Sequence, residues 1–335
     1  LGRVAPGANW GELRDAAARV AWNLRSLFNL PEATNLLRSM ADEGTPYWKS
    51  VLRYSVSGCL QAVLDEYAHI LPEQQGLLAS TPEAVAAGVS RTMCDSLGMQ
   101  ASSMSVDHFR VDGEANRIVP GDGASMRGKF ALRFGAEKTD DGSERTRTNQ
   151  VREAFNSPFW PFVVATTSVG QEGLDFHTYC HAIVHWNLPS NPVDLEQREG
   201  RVHRYKNHAV RKNLAAHYEL SATSRDAAAD PWQDLFSVAR SDRDEGATDM
   251  VPFWIYTREG GAKIERHVPA LPLSRDRDRL STLLRSLAAY RMVFGQARQE
   301  DLVSYLLARF TDEEVATHAA TLRIDLQPPR NGGGP

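Results

Sequence analysis

Apolar residues recur at helical spacing through the first hundred positions. Trp10, Leu13, Ala17, Val20, Leu24 and Leu27 predict one helix, and Leu52, Val56, Leu60, Val63, Tyr67 and Ile70 form a second stripe. Thr45-Pro46 and Thr81-Pro82-Glu83 read as helix starts, with the hydroxyl as cap and proline in the first turn, and Gly98 reads as a stop. Residues 8–98 are therefore predicted to be helical. The pattern then changes. Ser105–Val111 and Lys129–Phe134 read as strands separated by a glycine-rich turn, and residues 137–149 as a polar loop. A helix over 150–156, buried strands at Phe162–Thr167 and His181–Trp186, and at least partial helix over Val193–His203 follow. Such alternation predicts an α/β fold with a parallel sheet and crossover helices.

Further along, residues 221–250 are rich in Ser, Asp, Ala and Arg and read as a long, partly mobile connection. Phe253–Thr257 and Ile264–Val268 flank Arg258-Glu259-Gly260-Gly261, a hairpin signal. Residues 276–320 are helical again, with Leu280, Leu283, Leu284, Leu287, Tyr290 and Met292 on the apolar side of the first helix. Four regions result: a helical region over 1–100, an α/β lobe over 101–220, a hairpin and helical extension over 221–326, and a disordered tail over 327–335.

Of the 335 residues, 42% are hydrophobic and 24% charged, which supports a packed core and excludes global disorder. The net charge of −4 gives no overall basic field, so a nucleic-acid surface would have to be local. Cys59, Cys94 and Cys180 are too few for a disulfide framework and read as buried thiols in a reducing compartment. No apolar run reaches transmembrane length and no signal peptide is recognisable; a chain that opens on Leu1 reads as a fragment or processed product.

The stretch from Phe162 to Asn213 carries the chemistry. Ala165-Thr166-Thr167-Ser168 ends one strand and is followed by Gly170-Gln171-Glu172-Gly173-Leu174-Asp175; after a second strand comes Gln197-Arg198-Glu199-Gly200-Arg201-Val202-His203-Arg204. Open α/β sheets bind ligands at the carboxyl ends of their strands, and glycines there let backbone approach a ligand closely. Arg198, Arg201 and Arg204 are spaced to share one side of a helix. Their guanidinium forks suit phosphate oxygens and phosphoryl transition states.

QREGRVHR fits the superfamily 2 motif VI pattern Q-R-x-G-R-x-x-R at every fixed position, ATTSVGQEGLDF resembles motif V, and HAIVHWNLPSNP resembles the strand between them. The chain therefore resembles the second, RecA-like lobe of a helicase-type ATPase, most similar to bacterial Swi/Snf-type translocases associated with RNA polymerase or genome defence. The resemblance implies a RecA-like parallel-sheet lobe flanked by helical regions, in a cytoplasmic motor that hydrolyses ATP with Mg²⁺ and moves on nucleic acid, double-stranded DNA above all. The phosphate loop and magnesium carboxylates belong to an upstream lobe of the same polypeptide. It also implies that Arg201 and Arg204 are the arginine fingers, that Gly173, Asp175, Gln197 and Arg198 lie on the nucleotide side, and that Thr166, Thr167 and Ser168 meet the nucleic-acid backbone. The rival is a degenerate lobe kept as a non-catalytic scaffold for nucleic acid or a partner.

Other signals carry less. Gly123–Phe130 nearly spells a phosphate loop, but Phe130 replaces the magnesium-binding hydroxyl and KFALRF reads as a strand where a helix is required. Asp65-Glu66-Tyr67-Ala68-His69 approaches a DEAH box but lies in a helical stripe, where it reads as a solvated face. His177, Cys180, His181 and His185 are too close together to wrap one tetrahedral zinc. The C-terminal arginines interleave with acids and read as a salt-bridged face.

Overall fold

The computed structural model describes residues 1–98, 102–106, 109–113, 117–120, 124–128, 131–134, 150–166, 175–218, 230–244, 247–269, 272–293, 299–311, 313, 314 and 317. The polar loop at 137–149 and the tail at 327–335 lie outside these residues, as does all of 221–229. The chain divides into two compact units, one of Leu1–Cys180 with Arg204–Lys263 and one of His181–His203 with Ile264–Pro335.

The first unit opens with five helices: α1 (Trp10–Phe28), α2 (Pro31–Ser39), α3 (Tyr47–Ser57), α4 (Leu60–Gln74) and α5 (Pro82–Gly98). α1 and α5 begin where a side chain satisfies a free amide. The Asn9 side chain accepts from Gly11 N at 2.8 Å, and Thr81 Oγ1 accepts from Ala84 N at 3.3 Å ahead of Pro82. Val85, Ala86, Val89, Met93 and Leu97 bury one face of α5 against Tyr67, Ala68 and Leu71 of α4 and Val20 of α1. Two buried hydroxyls tie these helices together: Tyr67 shares a hydrogen bond with Ser96, and Ser90 donates to Ala16 O at 3.0 Å.

The single stripe expected from Leu52 to Ile70 is two helices. Cys59 takes a left-handed conformation (φ 50°), which ends α3 and turns the chain before α4. Leu52 and Val56 are consequently exposed (56% and 71%), whereas Tyr67 and Ile70 are buried. On α1 the buried alanine is Ala16; Ala17 and Trp10 face outward.

The strands are shorter and more divided than the hydrophobic pattern implies. β1 (Ser102–Val106) pairs antiparallel with β4 (Ala124–Gly128), and β2 (Phe109–Asp112) with β3 (Arg117–Pro120). The described part of the near-phosphate-loop, Ala124–Gly128, is thus a strand. β5 (Ala131–Phe134) pairs in parallel with β6 (Val163–Thr166), and residues 150–155 (α6) lie on the connection, which makes a β–α–β crossover.

In the second unit β7 (Ala182–Val184) pairs in parallel with β8 (Glu265–His267). Parallel pairing is therefore present, but the described strands form four two-stranded sheets in place of the one continuous sheet expected. Neither β6 nor β7 is the buried strand that its apolar sequence implied. Val163 and Val184 are 58% and 59% exposed, because burial on both faces requires flanking strands and covering helices that these pairs do not have among the described residues.

α7 (Pro192–Glu199), α10 (Asp276–Met292) and α11 (Gln299–Arg309) complete the second unit. Its core is Leu188, Leu195, Leu283 and Leu287. Of the C-terminal arginines, Arg279 pairs with Asp276 within α10, and Arg291 reaches Glu196 on α7 at 2.6 Å.

The first unit also contains α8 (His208–Tyr218) and α9 (Pro231–Ser241). α9 overturns the reading of 221–250 as wholly connection: the Asp230 side chain caps Trp232 N at 2.9 Å, and Leu235, Phe236 and Ala239 form a short buried face. The expected hairpin does not form. Phe253–Thr257 is not a strand, since Asn213 Nδ2 donates to Tyr256 O and its Oδ1 accepts from Ala262 N at 2.7 Å. These bonds claim the groups a ladder would use, and β8 is left to pair with β7.

Candidate functional site

In the first unit the segment Asp175–Cys180 is held from three sides. Asn156, just beyond α6, donates from Nδ2 to Asp175 O at 2.6 Å and accepts from Thr178 N. Gln74, at the end of α4, donates to Thr178 Oγ1 at 2.7 Å. From α8, His208 N donates to His177 O at 2.9 Å. Tyr179 donates its hydroxyl to Glu66 Oε2 at 2.9 Å, and burial pushes that phenol far above its ordinary range.

Arg211 of α8 lies behind this segment, 4% exposed. Its Nη1 donates to Lys206 O at 2.7 Å and its Nη2 to Thr178 O, while Glu66 Oε1 stands 3.8 Å from Nε. The guanidinium also lies over the rings of Tyr179 and Trp232, at 5.8 and 5.6 Å from their centroids. Arg211 thus links the 175–180 segment to the turn that follows Arg204.

In that turn Asn207 N and Nδ2 both donate to Arg204 O, at 3.2 and 3.0 Å. Lys206 forms its corner in a left-handed conformation (φ 50°). Its ammonium contacts both oxygens of Glu73 at 2.7 Å. Arg204 itself is half-exposed. Its Nε stands 2.7 Å from Asp175 Oδ1, an ion-pair distance without a hydrogen-bonding angle, so the guanidinium keeps donors to offer.

Glu73, Asp175, Thr178, Arg204, Lys206 and Arg211 line a cavity of about 590 Å³ together with His177, Trp232 and Phe236. Burial lowers the His177 imidazole to about 4, with Arg211 and Arg204 adding to the effect against Asp175. It is neutral at pH 7, and its Nδ1 has no hydrogen-bond partner.

Gln197–His203 falls in the second unit. Asn191 caps α7 by accepting from Asp194 N at 2.8 Å, and Gln197 is exposed on the helix. Arg198 Nη1 donates to Asn187 O at 2.9 Å, which joins the helix to the end of β7. Arg201 is buried, at 6% exposure. The arginines do not share a helical face, because α7 ends at Glu199 and Gly200 caps it; a Cβ there would sit 2.9 Å from Glu196 O.

Glu199 receives Arg266 Nη2 at 2.6 Å and His185 Nε2 at 3.2 Å. Burial pushes its carboxyl up, but these two partners outweigh burial and hold it at about 2, well below its ordinary value of 4.5. The folded state therefore gains stability above pH 4.5 that is lost as pH falls through 2. At neutral pH the contribution is about 3 kcal/mol. Glu199→Gln is expected to lower neutral-pH stability by a comparable amount and to flatten the acid limb of an unfolding curve; an acid limb identical to the parent's would contradict the assignment.

Of the residues picked from sequence, Asp175 and Arg204 meet in the first unit. Thr166 ends β6 and is exposed. Gly173, Thr167 and Ser168 lie outside the described residues. Sequence reasoning missed Glu73, Lys206 and Arg211 and set Glu66 and His177 aside. In the DEYAH stretch Tyr67 is buried, as its place in the apolar stripe implied, and Asp65 and Glu66 are partly exposed, but Glu66 also meets Tyr179 and Arg211. The available signal was its position inside the apolar stripe, where a carboxylate needs a partner.

Residues 129–206 match the family described as the helicase conserved C-terminal domain. The match starts just before β5 and ends two residues after Arg204, so it spans β5, β6, β7, α7 and the whole of Gln197–Arg204. This stretch of the chain is therefore similar to a helicase C-terminal domain. Searches of curated proteins and of solved structures gave no match. No helix among the described residues is long and apolar enough to cross a membrane.

Proposed function

We propose that the chain contains the second motor lobe of an ATP-dependent nucleic-acid translocase of the Swi/Snf kind, working on double-stranded DNA beside an upstream lobe of the same polypeptide. The observation that carries this reading is the helicase C-terminal match ending on QREGRVHR, with Arg204 half-exposed and its guanidinium donors available beside Asp175. Those donors suit a nucleotide phosphate. Arg204 is therefore the finger assigned to the γ-phosphate. Arg201, at 6% exposure, is assigned with it as the second finger. Gly173, Asp175, Gln197 and Arg198 are assigned to the nucleotide side, and Thr166, Thr167 and Ser168 to the nucleic-acid backbone.

ATP supplies the phosphoryl group and its bound Mg²⁺, which the upstream lobe holds. Among the described residues no group of three His, Cys, Asp or Glu could hold a metal. This chain's own contribution is charge and geometry: Arg204 stabilises negative charge that develops as the phosphoryl group transfers. Nucleic acid favours closure of the lobes, and closure brings the guanidinium into reach.

The test is ATP hydrolysis by a chain with both lobes, with and without duplex DNA, beside Arg204→Ala. Stimulation by duplex that the variant loses while retaining its fold supports the reading. Equal rates in the two proteins sink it, and nucleic-acid binding without hydrolysis in either would leave a degenerate scaffold.

A further inference from the structure

We infer that Glu73, on α4, is a positioning residue for Arg204, so that the N-terminal helices set the finger's position. The inference rests on the finger reading of Arg204 and adds to it a role for a region that the helicase match does not cover.

The turn Arg204–Asn207 is a demanding one. The carbonyl of Arg204 accepts both donors of Asn207, and the corner residue is left-handed, a place where such turns take glycine or asparagine. Here the corner is a lysine, and a non-glycine residue persists in that conformation only when its surroundings over-determine it. Three contacts do so. Lys206 N donates to Phe253 O at 2.7 Å, its carbonyl accepts from Arg211, and its ammonium meets both oxygens of Glu73 at 2.7 Å.

The last contact is the strongest in kind, being charge-assisted and bidentate, with the Lys206 side chain 9% exposed although that of Glu73 is 31% exposed. Its aliphatic stem and ammonium lie against aromatic rings, with Nζ 4.7 Å from the centroid of Phe236 and 5.2 Å from that of Tyr205.

The direction of control follows from stiffness. Glu73 sits in the last turn of α4 directly after buried Pro72, whose ring fixes its own backbone angle, and Leu77 N closes that end by donating to Pro72 O at 2.7 Å. The next residue, Gln74, holds Thr178 of the segment that carries Asp175, the ion-pair partner of Arg204. One helical turn therefore grips the chain on both sides of that ion pair. Without the Glu73 carboxylate, a buried ammonium loses the counter-charge it contacts directly and keeps the longer-range attraction of Asp230, and the turn that sets the Arg204 backbone relaxes.

The test compares Glu73→Gln, Glu73→Gln/Lys206→Gly and Arg204→Ala in a chain with both motor lobes. Glu73→Gln is expected to lower the duplex-stimulated kcat by roughly 10- to 100-fold, with the KM for ATP little changed. Its nucleic-acid-binding stoichiometry stays normal, which separates a misplaced finger from a loss of folded protein. Amide hydrogen exchange at residues 204–211 should accelerate. Glycine takes the left-handed corner without strain and removes the orphaned ammonium, so the double variant should recover to within about threefold of the parent. A Glu73→Gln protein with parental kcat, or a loss that the double variant does not recover, overturns the inference. If Arg204→Ala itself leaves the stimulated rate intact, the motor reading fails; exchange at 204–211 then decides, faster exchange in Glu73→Gln sustaining the positioning role and unchanged exchange ending it. Should Glu73→Gln not fold, Glu73→Asp, which keeps the charge but draws it back, takes its place under the same criteria.

Discussion

Arg204→Ala, in a chain carrying both motor lobes, is expected to lower the duplex-stimulated turnover of ATP by about 10³-fold or more, the range removed with an arginine finger in related phosphoryl-transfer enzymes. A guanidinium that acts mainly on charge developing in the transition state adds little to ground-state binding. The loss should therefore fall on kcat, with the KM for ATP within a small factor of the parent's. Arg204→Lys should recover only part of the rate, because an ammonium lacks the planar fork that meets two oxygens at once. The fold should survive the change. Arg204 is half-exposed and its ion pair with Asp175 is open to solvent, so the variant should keep its melting temperature within a few degrees. Stopped-flow or steady-state hydrolysis with saturating duplex reads the first effect and calorimetry the second. A large fall in melting temperature would instead make Arg204 a structural residue.

Arg211→Ala should do the reverse and cost roughly 3–5 kcal/mol of stability in the first unit. Only 4% of the Arg211 surface is accessible. Burial pushes its guanidinium below the usual arginine range, against the attraction of Glu66, Tyr179 and Glu73. Truncation leaves the carbonyls of Lys206 and Thr178 without donors and opens a void between Tyr179 and Trp232. Denaturant unfolding followed by tryptophan fluorescence checks this, since Trp232 packs on the guanidinium. A change under about 1 kcal/mol would mean that water replaces the lost donors at small cost.

The local signals that succeeded belong to short stretches of chain. Thr81-Pro82 starts α5 because a hydroxyl cap and a proline in the first turn are adjacent in sequence. Leu283 and Leu287 face the core because four residues make about one helical turn. The motif VI string was legible because the resemblance depends on residue order alone, and the family match contains it. Similar local reasoning failed where one residue redirected the chain. Cys59 splits an apolar stripe by adopting a left-handed angle that nothing in its type announces, and Gly200 ends α7 before the arginines can share a face.

Tertiary structure alone decided which partners meet. Glu66 and Glu73 lie more than a hundred positions from Tyr179 and Lys206, and no periodicity relates residues that far apart. Asn213 shows the same dependence: its side-chain bonds to Tyr256 and Ala262 occupy the groups of a would-be hairpin, and β8 pairs with β7 in its place. The sequence by itself determined which segments could be helices and where the arginine-rich motif stands. Folding determined that Arg201 is buried, that Arg204 stays accessible beside Asp175, and that a carboxylate from α4 holds the turn after it. The physical reason is that burial and charge pairing are properties of space, set only when distant parts of the chain exclude water together.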